Sequence, residues 1–232
     1  MALVTRLGYE IVNQAVAWVT PESICTEDYI NGHYVNTSSC IDTVYNTYYG
    51  KENVTQEAYC TIFAWIVIDG ACKSLGLENI LPKSTGGAYI FDKVKKDGSM
   101  RVDGTPAVGS FMRRKSPASD SGWHSGIVVK VDNDRIYTIE GNSSFNYAGN
   151  KYEGIWGHSY TWDDVSKQGM QFCHTEEMYG TDDTLEVNYD VSAFDDGSTF
   201  TILGISPVGI GIGTLLLLGT GIWAYNKYYA KK

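Results

Sequence analysis

Apolar residues recur at helical spacing at the start of the chain: Leu3, Leu7, Ile11, Ala15 and Trp18 predict an amphipathic helix. From Pro21 to Tyr49 the chain is rich in Thr, Ser, Asn, Tyr and Cys and shows no clean period. That stretch reads as irregular structure wrapped on a core. From Tyr59 to Leu75 the pattern sharpens, with Cys60, Phe63, Ala64, Val67, Ile68, Ala71 and Cys72 forming an i, i+3, i+4, i+7 stripe. Trp65 and Ile66 add apolar surface on the other side, so this helix is expected to be buried nearly all round. Gly76 supplies its stop. A further helix is expected over 87–96.

The period then changes to two. Gly109–Met112, Gly126–Val131, Arg135–Glu140 and Gly154–Tyr160 read as strands, with Asp132, Asn133 and Asp134 turning the middle pair into a hairpin. Helices first and antiparallel strands afterwards predict an α+β domain over residues 1–174.

The C-terminal end has a different pattern. No charged residue lies between Asp196 and Lys227, and the stretch is long enough to cross a hydrocarbon core of ~30 Å. Trp223 and Tyr225 sit where an interfacial aromatic belt belongs, and Lys227, Lys231 and Lys232 close the chain. One transmembrane helix is therefore expected over 199–226, with a basic tail over 227–232. Residues 175–198 read as an acidic linker or stalk. Met1–Val19 does not have the pattern of a signal peptide. The expected localisation is a single-pass membrane protein with a C-terminal anchor in the lipid bilayer.

Composition refines this picture. The 232 residues carry 18 basic and 27 acidic side chains, a formal charge of −9. Three of the basic residues lie in the terminal tail, which leaves 15 against 27, or −12, outside the expected span. This lacks the basic footprint of a general nucleic-acid binder, so no nucleic-acid partner is expected. At 43% hydrophobic residues the chain is too apolar to be mostly disordered.

Five cysteines and four histidines carry the candidate chemistry. No C-x-x-C pair occurs, which argues against a structural zinc site. Cys25 and Cys40 either pair or remain buried thiols. Cys60 opens the buried helix, where backbone N–H groups favour a thiolate. His124 begins one strand of the predicted hairpin and Glu140 ends the next, so the hairpin makes them neighbours. A carboxylate on one ring nitrogen leaves the other to exchange a proton with a thiol. Asn142, two residues after Glu140, is expected on the same strand face. His158 is expected to be structural. His33, beside Tyr34, is expected at the surface or lining a groove.

This order of residues resembles the CHAP family of cysteine, histidine-dependent amidohydrolases and peptidases. The matching stretches are Tyr59-Cys60-Thr61-Ile62-Phe63-Ala64-Trp65, Pro106-Ala107-Val108-Gly109, His124-Ser125-Gly126-Ile127-Val128-Val129 and Thr138-Ile139-Glu140-Gly141-Asn142. The resemblance spans roughly Gly8 to Tyr160. It implies a papain-like fold, helices packed on a small antiparallel sheet, and cleavage of amide bonds in peptidoglycan. It also implies Cys60 as nucleophile, His124 as general base and acid, Glu140 as its orienting carboxylate and Asn142 in the same polar cluster. The Cys60 N–H would help bind the oxyanion, with Gln56 as a second donor candidate. Two positions depart from the family pattern. Ser110 stands where Asp is frequent, and Tyr59 stands where Trp is frequent. Some members bind calcium through closely spaced aspartates before the nucleophile. No such cluster precedes Cys60, so no metal and no cofactor are expected.

The expected function is that of a membrane-anchored peptidoglycan hydrolase. With a tail anchor and no export signal, a virion membrane of a bacteriophage is the expected setting, with neighbouring virion or membrane proteins as partners and wall digestion for entry or lysis as the role. The alternatives are a non-catalytic structural virion protein that keeps the hydrolase fold, and a membrane-bound protease or deamidase acting on proteins.

Overall fold

The computed structural model describes residues 3–4, 6–20, 23–50, 58–116, 122–175, 178 and 185–186. Gln56, the expected span 199–226, the tail 227–232 and nearly all of the acidic stretch lie outside them. Among the described residues no helix is long and apolar enough to cross a membrane.

The chain opens with β1 (Leu3–Val4), α1 (Arg6–Val16), β2 (Val19–Thr20) and β3 (Ser23–Ile24). The hairpin β4 (Asp28–Ile30) and β5 (His33–Val35) follows, then the helices α2 (Ser39–Tyr49), α3 (Cys60–Ser74) and α4 (Gly87–Asp97). After β6 (Arg101–Asp103) come β7 (Phe111–Lys115), β8 (Trp123–Val131), β9 (Arg135–Tyr147) and β10 (Asn150–Thr161). The described chain closes with α5 (Trp162–Lys167), β11 (Gln171–His174) and β12 (Leu185–Glu186), which pairs with β1. Six strands form one antiparallel sheet in the order β10-β9-β8-β7-β11-β6. The fold is α+β, as the change of hydrophobic period indicated.

α3 is buried on every face from Cys60 to Asp69, which is why its sequence is apolar all round. Ile62, Phe63 and Ile68 are fully excluded from solvent, and each such side chain contributes roughly 1.5–3 kcal/mol. The helix packs on α1, α2, β8 and β9. Along β8 the alternation divides two cores. Ile127 and Val129 join the helices, and Val128 joins Met112, Ile136 and Phe172 under α5.

Pro21–Tyr49 is a correction to the irregular reading. It contains the β4–β5 hairpin and α2. Asn31 and Gly32 both take positive φ, 52° and 87°, the conformation of a tight type I′ turn. α2 is capped by Ser38 Oγ, which accepts from the Ile41 N–H, and ends at Gly50 with φ 73°. Its buried residues Ile41, Val44, Tyr45 and Tyr48 do follow helical spacing. The intervening Thr43, Asn46 and Thr47 masked the stripe.

Cys25 and Cys40 form a disulfide, with Cα atoms 5.6 Å apart, that ties the segment before β4 to α2. Closing a loop of 15 residues stabilises by about 3 kcal/mol in the chain-entropy account. Reduction, or replacement of both residues by Ser, is expected to lower the denaturation free energy by about that amount. Urea titrations with and without dithiothreitol check this, and coincident curves would show that the bond adds nothing.

Candidate functional site

Three elements of this fold meet at one point. α3 brings Cys60 as its first residue, β8 brings His124 near its start, and β9 brings Glu140 from its middle. Cys60, His124 and Glu140 are 8%, 7% and 0% exposed, so the cluster lies just below the surface. β8 and β9 pair antiparallel with Ile127 opposite Ile139, so Glu140 lies near the start of β8, where His124 Nε2 reaches to 2.9 Å from Glu140 Oε2. The contact is a close ion pair without the alignment of a straight hydrogen bond. The ring also hydrogen-bonds the Cys60 thiol. With Nε2 turned to Glu140, Nδ1 is the nitrogen left for the sulfur.

Glu140 is the hub. Its Oε1 accepts from Thr138 Oγ1 at 2.7 Å and from Tyr160 Oη at 2.8 Å. Its Oε2 accepts from Arg114 Nη2 at 3.1 Å. Burial alone raises a carboxyl pKa. Here the charges of His158, Arg114 and His124 win and hold Glu140 well below the usual carboxylate range. Burial likewise lowers a histidine, yet the neighbouring Cys60 thiol and Glu140 carboxylate raise His124 to about 9. Burial raises a thiol, yet the bond and charge of His124, the Ser125 N–H and the Thr61 hydroxyl bring Cys60 below its ordinary value. Cys72 and Cys173, the other free cysteines, go the opposite way, and burial pushes Cys173 up to about 12. Of the three free thiols, Cys60 is the one whose neighbours outweigh burial and favour a thiolate, beside an imidazolium that balances it.

Asn142 differs from the expectation of a shared strand face. It has φ 55°, which breaks the two-residue alternation of β9. Its Oδ1 accepts from the Tyr59 N–H at 3.2 Å, directly ahead of Cys60. Asn142 thus ties down the start of α3. Two of the three glycines of the motif stretches, Gly126 and Gly141, have a steric reason beside the site. A Cβ on Gly126 would lie 2.8 Å from Glu140 Cγ, and one on Gly141 would lie 2.8 Å from Phe63 Cβ. Gly126 makes room for the carboxylate, and Gly141 lets β9 approach α3.

Arg114, Thr138, Tyr160, Thr61 and Ser125 were not singled out from the sequence. Thr138 had a legible signal, two residues before Glu140 on the same strand. Arg114 is placed by register, opposite His124 on β7, and register is not readable from one strand. His158 lies 3.0 Å from Ser143 Oγ on the neighbouring strand, close enough for its charge to act on Glu140. His33 is exposed and lines a separate cavity of about 630 Å³ with Tyr29, Gly32, Tyr34, Lys151 and Glu153. Among the described residues no three His, Cys, Asp or Glu side chains converge as a metal site.

Fold and site together define an α+β protein with a buried, charge-balanced Cys–His–Glu cluster. No protein-family profile and no curated protein matches the chain. Among solved structures it is similar to an N-acetylmuramoyl-L-alanine amidase from Staphylococcus aureus, at 16% identity and a TM-score of 0.37. The match covers 52% of this chain and 31% of that one, so it spans about a third of the amidase structure.

Proposed function

We propose that the chain is a papain-like thiol hydrolase that cleaves amide bonds of peptidoglycan. The observation that carries the hydrolase reading is the Cys60–His124–Glu140 cluster, in which one thiol of three is pushed toward thiolate beside a charged imidazole. The substrate class rests on the motif stretches that resemble the CHAP family.

In this reading the Cys60 thiolate attacks the amide carbonyl and an S–C bond forms. The oxyanion is held by the Cys60 N–H at the start of α3. The His124 imidazolium gives its proton to the departing nitrogen, the C–N bond breaks and an amine leaves. Neutral His124 then takes a proton from water, which attacks the thioester carbonyl. The S–C bond breaks, a carboxylic acid leaves and gives its proton to solvent, and thiolate and imidazolium are restored. Glu140 keeps the imidazole oriented and charged, and Arg114, Thr138 and Tyr160 keep Glu140 ionised.

We also propose that residues 199–226 hold this domain to a lipid bilayer. One preparation tests both parts. The full-length chain in neutral detergent is expected to release soluble fragments from purified peptidoglycan, with one new amine per bond cut, seen by mass spectrometry. Reconstituted, it is expected to float with liposomes, and truncation after Ser198 is expected to abolish flotation. Intact peptidoglycan after digestion would overturn the substrate assignment, and flotation of the truncated chain would overturn the anchor.

A further inference from the structure

The segment before β4 reaches under the start of α3. Glu27 is 6% exposed, and its Oε1 accepts from Tyr59 Oη at 3.0 Å. Tyr59 is fully buried and immediately precedes Cys60. Its backbone N–H is the one that Asn142 accepts. Tyr59 is therefore held at both ends, by Asn142 at the main chain and by Glu27 at the ring. Glu27 is itself fixed. Its N–H donates to Glu153 O at 2.8 Å, the preceding Thr26 bridges Gly154, and Ile155 N–H donates to Cys25 O at 2.9 Å. The Cys25–Cys40 disulfide anchors the same segment to α2. Tyr59 is also one of the two positions where the chain departs from its family pattern, and its hydroxyl is what Glu27 accepts.

We propose that Glu27 is a positioning residue that acts through Tyr59: it sets the start of α3 and hence the Cys60 thiol, and its charge state alters that thiol's reactivity. The proposal rests on Cys60 being the nucleophile. The groups facing Glu27 and its partner are Tyr59 just ahead of α3, Glu153 on β10, Tyr34 on β5 and Tyr45 on α2. None is a cation. Burial, opposed by the Tyr59 hydrogen bond and reinforced by Glu153, raises the Glu27 carboxyl to about 7. Below that pH Tyr59 meets a neutral acid, and above it a carboxylate. A negative charge near the helix start disfavours the thiolate, so ionised Glu27 restrains Cys60.

The test is the rate of Cys60 alkylation by iodoacetamide against pH, on the full-length chain in neutral detergent, read by mass spectrometry of the Cys60 peptide. The wild-type profile is expected to show an inflection near pH 7. Glu27→Gln keeps an acceptor for Tyr59 but cannot ionise. It is expected to match wild type at pH 6, to react roughly threefold faster at pH 8, and to lack the inflection. Tyr59→Phe cuts the link while leaving the carboxyl in place, and is expected to shift the profile of Cys60. A purely structural role would lower the melting temperature and leave both profiles on that of wild type, which would overturn the proposal. Wild-type Cys60 reacting no faster than Cys72 and Cys173 would overturn the nucleophile reading, and this proposal with it.

Discussion

Cys60→Ser is expected to leave the protein folded and to reduce release of peptidoglycan fragments by at least about 10⁴-fold. The side chain changes by a single atom, at a helix start whose fold rests on Ile62, Phe63 and Ile68 rather than on the sulfur. The melting temperature should therefore stay close to wild type. A serine hydroxyl is not ionised by an imidazolium held at about 9, so the nucleophile is lost and the cluster geometry kept. Parallel measurements of melting and digestion separate the two effects. A variant that retains a tenth of wild-type activity would exclude Cys60 as nucleophile. Cys72→Ser and Cys173→Ser should leave digestion unchanged, because both thiols are buried away from the cluster and burial raises both.

Glu140→Gln is expected to affect both stability and chemistry. In the native protein Glu140 faces Arg114 and His124 with no solvent exposure. Removing its charge takes the counter-ion from the partly buried Arg114 and leaves the buried His124 paired only with the Cys60 thiolate; for a fully buried pair such a change typically costs about 3–5 kcal/mol, and the exposure of Arg114 places the loss toward the lower end. Loss of the orienting carboxylate is expected to lower turnover by roughly 10²- to 10⁴-fold. The pH profile supplies an independent readout. Activity needs a thiolate and an imidazolium together, so the alkaline limb of the wild type should lie near pH 9, where His124 loses its proton. In Glu140→Gln the attraction that helps hold that proton is gone, and the limb should move to lower pH. An unmoved limb would mean that Glu140 does not act on His124.

The signs of the linked stability terms follow from the same groups. His124 is raised above its ordinary 6.5, so its contribution is full below that pH and is lost as pH rises through about 9. Glu140 is lowered, so its contribution is present above its ordinary 4.5 and is lost as pH falls through its depressed native value. Glu27 is raised to about 7, so stability falls as pH rises from 4.5 through 7.

Local pattern determined a good deal about this protein. The stripe from Cys60 to Cys72 specified a helix, and Trp65 and Ile66 on its other side specified burial nearly all round. The alternation from Gly126 to Glu140, broken at 132–134, specified a hairpin. That hairpin already implied His124 beside Glu140, since antiparallel pairing brings the start of one strand to the end of the next. Tertiary structure alone decided the rest. The sequence left Cys25 and Cys40 with two alternatives, and pairing requires two Cα atoms within reach, which depends on how α2 docks. Arg114 entered the site through strand register, and Tyr160 through its reach to the Glu140 carboxylate. Asn142 left the expected strand face because its positive φ interrupts the alternation. Glu27 meets Tyr59 across a gap of 32 positions, through a turn held by a disulfide and by β10. Hydrophobic period reports the environment of a residue along its own element. It carries no information about which distant side chain completes a buried hydrogen bond, and those bonds are what set the charge states at Cys60, His124 and Glu140.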